Sequence, residues 1–440
     1  MLWYIFIHGA FATTDQFCCK VLTTWPTLCC INQRHFRVDS ATTPSTLPAS
    51  SMPSTGASMG ECYINRLPIE LLAAIFEEHS VLELRAPFID SQVCHRWHET
   101  TQLWPRVWSY ITMRSTTEHN IPIDQFQAML ERSGDSPLHI NLEYPDFALE
   151  RRISAMLLFQ HLMITRIRTL LLKGGLPGDF RMMEGMPNLR ILQLRKCHWG
   201  GTMKFLLGTG NFPLLDELVV HLCTGSLPRV ALGSPVLLRT VSFCYVKNME
   251  WVKILSECRE TLVEVFICHC KLPPSAQIHL PNLKFLALSY MFNFRDDIVA
   301  PNLLTFHEHL EHLALLKLPF TFSSITEYAC RVTSSFVGDE PFFAGHELPN
   351  LERFVLWSSW TGIREVLWEL VSHTHAVPKL NTIELATGNG EDLSGTQWAE
   401  LARLVVHTPL SSTFKQRTNS GTSSTRLRFS LVRGSSIILI

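Results

Sequence analysis

Charge is scarce in this chain. Only 18% of its 440 residues are charged and the formal net charge is −1, against roughly 25% charged residues in typical soluble proteins. No block of like charges is present, so nothing predicts attraction to a nucleic acid or to a membrane surface. No apolar run reaches the length of about 18 residues that a membrane-spanning helix needs. We therefore expect a soluble intracellular protein of the cytoplasm or nucleus, with neither a nucleic acid nor a membrane as partner.

Signatures of catalysis are also missing. The sequence contains no G-x-S-x-G, Walker A, G-x-G-x-x-G or H-E-x-x-H motif. Its densest histidine stretch is HEHLEHL, in which His309 and His312 could share one helical face beside His307. No cysteine or further histidine flanks this stretch at ligand spacing, which favours a solvated face over a metal site. The sequence predicts no enzyme, no cofactor and no metal.

The thirteen cysteines are scattered along the chain, unlike the dense framework of a small secreted domain. They indicate free thiols in a reducing compartment. The vicinal pairs Cys18-Cys19 and Cys29-Cys30 do not have the C-x₂-C spacing of a zinc site. In Cys268-His269-Cys270, on a predicted strand, alternation would place the two cysteines on one side, in the core.

Residues 1–60 are predicted to be disordered or poorly specified. The opening MLWYIFIHGAFA is too short to span a bilayer, and it has no basic region or clear cleavage site that would favour a signal peptide. Residues 40–60 are mostly serine, threonine, proline, alanine and glycine. Such a segment buries too little surface to offset its ordering entropy, so it marks a linker.

A small helical region follows the linker. Its apolar residues recur at helical spacing, and Pro68 suits a first helical position. They form three groups: Leu67, Leu71, Leu72, Ile75 and Phe76; Val93, Cys94 and Trp97; and Leu103, Trp104, Val107 and Trp108. Three short helices in about 50 residues have more apolar surface than so small a core can cover. Part of this surface is expected to need a partner.

Residues 61–110 resemble the F-box family. Its ordered pattern is matched by Leu67, Pro68, Glu70, Leu71, Ile75, Phe76, Val93, Cys94 and Trp97, with Leu103-Trp104 as the trailing pair. The resemblance implies that these nine residues either contact a Skp-type adaptor or form the core of the small domain. It also makes Cys94 an apolar-site residue rather than a nucleophile. Pro87 departs from the pattern and is expected to break or start a helix.

Residues 111–165 are predicted to be a connector that caps the next domain. IPIDQFQAMLERSGDSP predicts a helix that ends at Ser133-Gly134, with the glycine as C-cap. PLHINLEY alternates as a strand does. FALERRISAMLLFQHLM predicts another amphipathic helix.

An L-x-x-L-x-L unit then recurs from about residue 167 to 388, often after proline and one further residue. The copies begin at Ile167, Leu189, Leu215, Leu238, Leu262, Leu283, Leu351 and Leu380. Alternation in a strand would turn the leucines inward and the residues between them outward onto a concave surface. MEWVKILSEC and IREVLWELV predict helices on the other side. Residues 301–348 are the least regular interval, expected to hold one repeat plus an insertion.

This pattern resembles the leucine-rich-repeat family, in which asparagine or cysteine follows the first leucine by eight positions. Cys197, Cys223 and Cys270 occupy that place, which predicts buried core thiols. The fold class expected is α+β, a small three-helix F-box followed by an irregular leucine-rich-repeat α/β solenoid over residues 166–407. An ordinary α/β domain would not explain the recurrence. Residues 408–440 are expected to be a loose tail, with RLRFSLV as a candidate last strand.

The two resemblances together imply a substrate-recognition subunit of an SCF-type (Skp–cullin–F-box) E3 ubiquitin ligase. The F-box would bind a Skp-type adaptor and, through it, cullin, while the repeats would bind a protein substrate that the sequence does not identify. The alternative is a non-catalytic leucine-rich-repeat interaction scaffold without a role in ubiquitin transfer. Trp357 and Trp360 could be surface anchors or could pack at the solenoid edge.

Overall fold

The computed structural model describes residues 63–83, 85–114, 123–144, 164–175, 185–198, 206–207, 212–223, 229–230, 237–246, 250–270, 277–289, 298–312, 323–334, 347–387, 394–397, 399–400, 410–418 and 425–433. The chain divides into two compact units: a helical unit, Met1–Trp108, and a sheet unit, Ser109–Ile440. In the described part of both units, no helix has the length and apolarity required to cross a membrane. The predicted linker over residues 40–60 and the apolar start lie outside the described residues.

The described part of the helical unit contains three helices, α1 (Ile69–Leu82), α2 (Ala86–Asp90) and α3 (His95–Leu103), with 3₁₀ turns at Tyr63–Arg66 and Pro105–Trp108. Pro68 is the N-cap of α1, one position before the first helical position that the sequence predicted. A proline is tolerated at either position, because the N–H group there has no partner within the helix. Pro87 lies in the first turn of α2, as expected for a proline that starts a helix. The last apolar group forms the second 3₁₀ turn rather than a third full helix.

Aromatic rings hold the helices together. Phe76 of α1 is fully buried and contacts the Trp97 ring of α3, with ring centroids 4.8 Å apart. Phe88 meets the Trp108 ring edge-on at 5.2 Å, and the Trp108 indole Nε1 donates to the Thr101 carbonyl at 2.7 Å. Aromatic pairs of this kind add about 0.5–1.5 kcal/mol beyond the burial of their area. The core of this small unit therefore depends on few, large side chains.

The sheet unit is a solenoid of α+β type. Among the described residues, twelve parallel strands lie side by side in chain order, and an antiparallel hairpin follows the last of them. The strands of this sheet are β1 (Tyr110–Arg114), β2 (Leu138–Tyr144), β3 (Ile167–Gly175), β4 (Ile191–His198), β6 (Glu217–His221), β8 (Thr240–Cys244), β9 (Glu264–Cys268), β11 (Phe285–Ser289), β13 (Thr305–His312), β14 (Glu327–Ser334), β15 (Arg353–Ser358), β16 (Thr382–Thr387), β17 (Leu410–Thr418) and β18 (Thr425–Arg433).

Shorter elements lie between these strands. The two-residue strands β5 (Leu206–Leu207) and β7 (Arg229–Val230) pair with each other, as do β10 (Ile278–His279) and β12 (Ile298–Val299). Helices with fully described bounds in this unit are α4 (Ile123–Arg132), α5 (Glu250–Glu257) and α6 (Trp360–Ser372), and a 3₁₀ turn spans Thr374–Ala376. The predicted helices at MEWVKILSEC and IREVLWELV are thereby confirmed. Gly134 follows α4 with φ of +49°, as its predicted C-cap role requires.

The register of the sheet explains the repeat. Leu192 lies between Leu170 and Leu218 on the neighbouring strands, and Leu194 lies between Leu172 and Val220. Each such row runs across the sheet and stays buried. The first residue of every described repeat is buried as well: Ile167, Leu189, Leu215, Leu238, Leu262, Leu283, Leu303, Ile325, Leu351 and Leu380. Each buried CH₂ group contributes about 0.8 kcal/mol to the free energy of folding, and the burial of these stacked rows is the main contribution that stabilises the sheet.

The structure differs from the sequence-based expectation in three regions. β1 and β2 belong to the main sheet, so the connector predicted over residues 111–165 contributes strands to it. The irregular interval 301–348 holds two strands, β13 and β14, instead of one repeat. Residues 410–433 contain a hairpin that covers the edge of β16, where unpaired backbone groups would otherwise remain. The helix predicted at FALERRISAMLLFQHLM lies outside the described residues.

The same left-handed turn occurs in four repeats, directly after β6, β8 and β9 and within β4. Lys196, Leu222, Tyr245 and His269 follow the buried rows at equivalent positions, and all have φ between 49° and 54°. This left-handed region costs non-glycine residues roughly 1–2 kcal/mol each. Hydrogen bonds offset the cost, since the N–H groups of Leu222 and Tyr245 donate to Cys244 and Cys268 carbonyls at 2.8 Å. The turn directs the next residue into the core.

That next residue is a cysteine in three of the four turns. Cys197, Cys223 and Cys270 are buried, and their thiols donate to carbonyls of the preceding repeat at 3.4–3.6 Å. The prediction of core thiols at these positions is confirmed. The prediction for Cys268-His269-Cys270 is wrong in part, because the left-handed His269 interrupts the alternation. Cys270 faces the core, and Cys268 is half-buried with the outward residues of β9.

A second ladder explains the Pro-Asn-Leu motif. Where asparagine precedes the first leucine, its amide donates to a carbonyl of the preceding repeat: Asn282 to Glu260 at 2.8 Å, Asn302 to Pro281 at 2.8 Å, and Asn350 to Ser323 at 3.0 Å. Leu214 and Leu237 occupy the same position in their repeats and are exposed. These two leucines interrupt the ladder.

Replacing Leu237 with asparagine is expected to stabilise the protein. The amide would reach the Pro213 carbonyl, the counterpart of the acceptors above, and one such bond contributes about 1 kcal/mol. Urea unfolding of the full chain measures the change. Leu304→Asn is the control, since Leu304 is an equally exposed leucine outside the asparagine position. Equal effects of the two variants would contradict the ladder.

Candidate protein-interaction surfaces

The nine residues of the helical unit that match the F-box pattern differ in their exposure to solvent. Pro68, Glu70, Leu71, Val93 and Cys94 are exposed; Leu67, Ile75 and Trp97 are half-buried; Phe76 is buried. Leu71 and Val93 are the most informative members, because a leucine that is 54% exposed and a valine that is 55% exposed contribute little to a core. Neighbouring exposed apolar groups are typical of a surface that binds another protein.

Two contacts bring these residues together. The Arg96 guanidinium of α3 donates to the Leu67 carbonyl just before α1. The ring of Phe76, in the second turn of α1, packs on that of Trp97 in the first turn of α3. The first turn of α1, which carries Leu71, therefore lies beside the start of α3, which follows Val93. Sequence analysis missed Arg96, since a bond to a backbone carbonyl leaves no pattern in the sequence.

A buried carboxylate joins α1 to α2. The His79 ring Nδ1 lies 3.1 Å from both carboxylate oxygens of Asp90, which is buried. Its hydrogen bond with Asp90 raises the pKa of His79, against the effect of burial. This pair was not predicted either. It holds α2 in place, so that Ile89 and Leu82 remain on the outside of the unit.

The outward face of the sheet is the second candidate surface. Between the buried rows lie side chains that point to the other side of the sheet, in three further rows. The middle one of these is largely buried by its neighbours and includes Gln193, Val219, Ser242, Ala287, His307, Ala329, Val355 and Glu384. The row before it is half-buried and includes Glu217, Thr240, Glu264, Phe285, Thr305, Glu327 and Arg353.

A charge network occupies one end of this face. The Arg353 guanidinium lies 2.9 Å from the Glu327 carboxylate and 3.1 Å from that of Glu384, so one cation bridges two anions. His307 Nε2 lies 3.6 Å from Glu327. The close approach of His307, together with the charge of Arg353, holds the pKa of Glu327 below its usual value although burial raises it. Glutamates at this end are therefore compensated within the chain.

The histidine stretch is not the solvated helical face that the sequence predicted. HEHLEHL lies in β13, and both His307 and His309 are buried on the outward face. Burial lowers the pKa of His309 to about 4, with Arg331 and His269 adding to the effect. His309 Nδ1 lies 3.3 Å from the Ser289 hydroxyl. Strand alternation explains the difference, because residues 307 and 309 share a face in a strand but not in a helix.

The described residues contain no group of three or more histidine, cysteine, aspartate or glutamate side chains arranged to hold a metal ion. The eight described cysteines form no disulfide, and burial raises the pKa of Cys258 and of Cys270 to about 12, so neither thiol ionises near neutral pH. Trp357 and Trp360 are both half-buried, which leaves their two predicted roles open.

Comparison with models of known protein families found none that matches this chain, and no curated protein matches it. The helical unit and the outward sheet face are therefore interpreted from their own residues.

Proposed function

We propose that the protein is the substrate-recognition subunit of an SCF-type E3 ubiquitin ligase, acting in the cytoplasm or nucleus. The helical unit binds a Skp-type adaptor and the repeats bind a protein substrate. The observation that carries the proposal is the exposed apolar set around Leu71 and Val93, set in the ordered pattern of an F-box. Phe76, the buried member of the same pattern, lies in the core of the unit.

The repeats contribute a second line of support. Their leucines form buried rows, and the cysteines eight positions after the first leucine bond to the preceding repeat, which is what the leucine-rich-repeat resemblance implies. A rigid stacked sheet presents its outward residues in fixed rows. Such rows suit recognition of another protein, and ubiquitin transfer would be performed by an E2 enzyme that the adaptor and cullin bring near.

Co-purification tests the proposal. Tagged full-length protein should retain the Skp-type adaptor and cullin, and Leu67→Ala with Pro68→Ala should lose both while the repeats stay folded by circular dichroism. If the protein retained the adaptor but not cullin, the alternative would be favoured: an interaction scaffold that has no role in ubiquitin transfer. Wild-type protein that retains neither would refute the proposal.

A further inference from the structure

Two glutamates on the outward face lack the compensation found at the other end. Glu217 and Glu264 lie in one row across β6, β8 and β9, with Thr240 between them. Two strand spacings separate their backbones by about 10 Å. Both are half-buried, and within the described residues neither carboxylate makes a hydrogen bond or an ion pair. Burial raises the pKa of Glu217, and the neighbouring charges of Asp216 and Glu264 raise it further.

The same row continues into an aromatic pair. Phe285 of β11 is the direct neighbour of Glu264, and the ring of Phe266 lies on the same face, 4.9 Å from that of Phe285. Both rings are half-buried, as the two glutamates are. We call Glu217, Glu264, Phe266 and Phe285 the acidic–aromatic strip. A phenylalanine face attracts the ammonium of lysine or the guanidinium of arginine, and accepts the apolar stem of either side chain.

We propose that the acidic–aromatic strip binds a lysine- or arginine-bearing segment of a protein partner. Charge complementarity carries this choice, since elsewhere on the face each acidic group has its own cation: Lys173 lies 3.2 Å from Glu143, and Arg353 serves Glu327 and Glu384. Among the described residues neither Glu217 nor Glu264 has an ion-pair partner, so a cation on the partner would complement both. Phosphates, and therefore nucleic acids and phosphorylated segments, would be repelled. The inference rests on the proposed function in one respect. If the repeats bind the substrate, this basic segment is the feature by which the substrate is recognised.

Selection from a random peptide library displayed on phage tests the proposal, with the immobilised full-length protein as bait. The variant is Glu217→Gln with Glu264→Gln. The control is Glu347→Gln with Glu352→Gln, which removes the same two charges from exposed sites. Neither substitution should unfold the chain, because amides are neutral and the variant removes repulsion; thermal melting verifies this.

Peptides selected by the wild type and by the control should be enriched in lysine and arginine over the input library. The best peptide should bind the Glu217→Gln and Glu264→Gln variant about tenfold more weakly, as expected for two partly buried charge pairs, and should weaken further as salt rises. Acidic or uncharged selections, no selection, or equal affinities for variant and control would overturn the proposal. The adaptor is absent from this assay, so its outcome is independent of the adaptor test.

Discussion

Replacing Leu71 and Val93 with alanine should weaken binding to a Skp-type adaptor by a factor on the order of 100 or more, while the protein stays folded. Both side chains are more than half exposed, so their truncation removes little from the core. If they are anchors of the interface, each should contribute about 2 kcal/mol or more to binding. Isothermal calorimetry with the purified adaptor measures the loss.

Two comparison variants make this result specific. Leu82→Ala truncates a leucine on the same helix that is 50% exposed but lies outside the F-box pattern, and it should leave binding unchanged. Phe76→Ala empties a buried site against Trp97 and should destabilise the unit by about 3–5 kcal/mol. An equal loss of binding for Leu82→Ala and for the Leu71 and Val93 variant would contradict the assignment of the interface.

Replacing Glu308 and Tyr328 together by leucine and phenylalanine should stabilise the sheet unit by about 1–4 kcal/mol. Glu308 is 2% exposed in the inward row, beside Leu288 and Cys330, and the Tyr328 hydroxyl donates to its carboxylate at 3.1 Å. Every other described repeat has an apolar residue in this row. A leucine would restore the row, and a phenylalanine would leave no hydroxyl without an acceptor.

The single variant Tyr328→Phe should act in the opposite direction. It removes a donor from a buried carboxylate, at a cost of about 1–3 kcal/mol. Urea unfolding of the full chain measures both variants. A double variant less stable than the wild type would show that Glu308 contributes to the fold through contacts stronger than its desolvation, and would contradict this account of the core.

The periodic part of the fold could be predicted from the sequence because stacked strands repeat their burial. Leu189, Leu215 and Leu283 each lie three residues before a strand residue that pairs with the neighbouring repeat, so their spacing follows the register of the sheet. The sequence does not show the repeat at β13 clearly, because Glu308 interrupts its apolar pattern. The hydrogen-bond donor for the Glu308 carboxylate is Tyr328, which lies on the next strand. Nothing in the local sequence shows such a partner.

The helical unit was harder to predict. Leu71, Leu72, Ile75 and Phe76 have the same apolar character, and the sequence cannot show which of them the rest of the unit covers. Contacts far apart in the chain decide this, such as Arg96 with Leu67 and His79 with Asp90. The outward face was equally hard to predict. Whether Glu217 has a compensating cation depends on which residues the register places beside it.

Hydrogen exchange of the full-length protein, with and without the purified Skp-type adaptor, tests the central claim most directly. The account predicts that the adaptor protects the backbone amides around Leu71 in α1 and around Val93 before α3, and leaves the strands of the sheet unit unchanged. Protection confined to the sheet unit, or no protection at an adaptor concentration in the tens of micromolar (about a hundredfold above a sub-micromolar Kd), would contradict it.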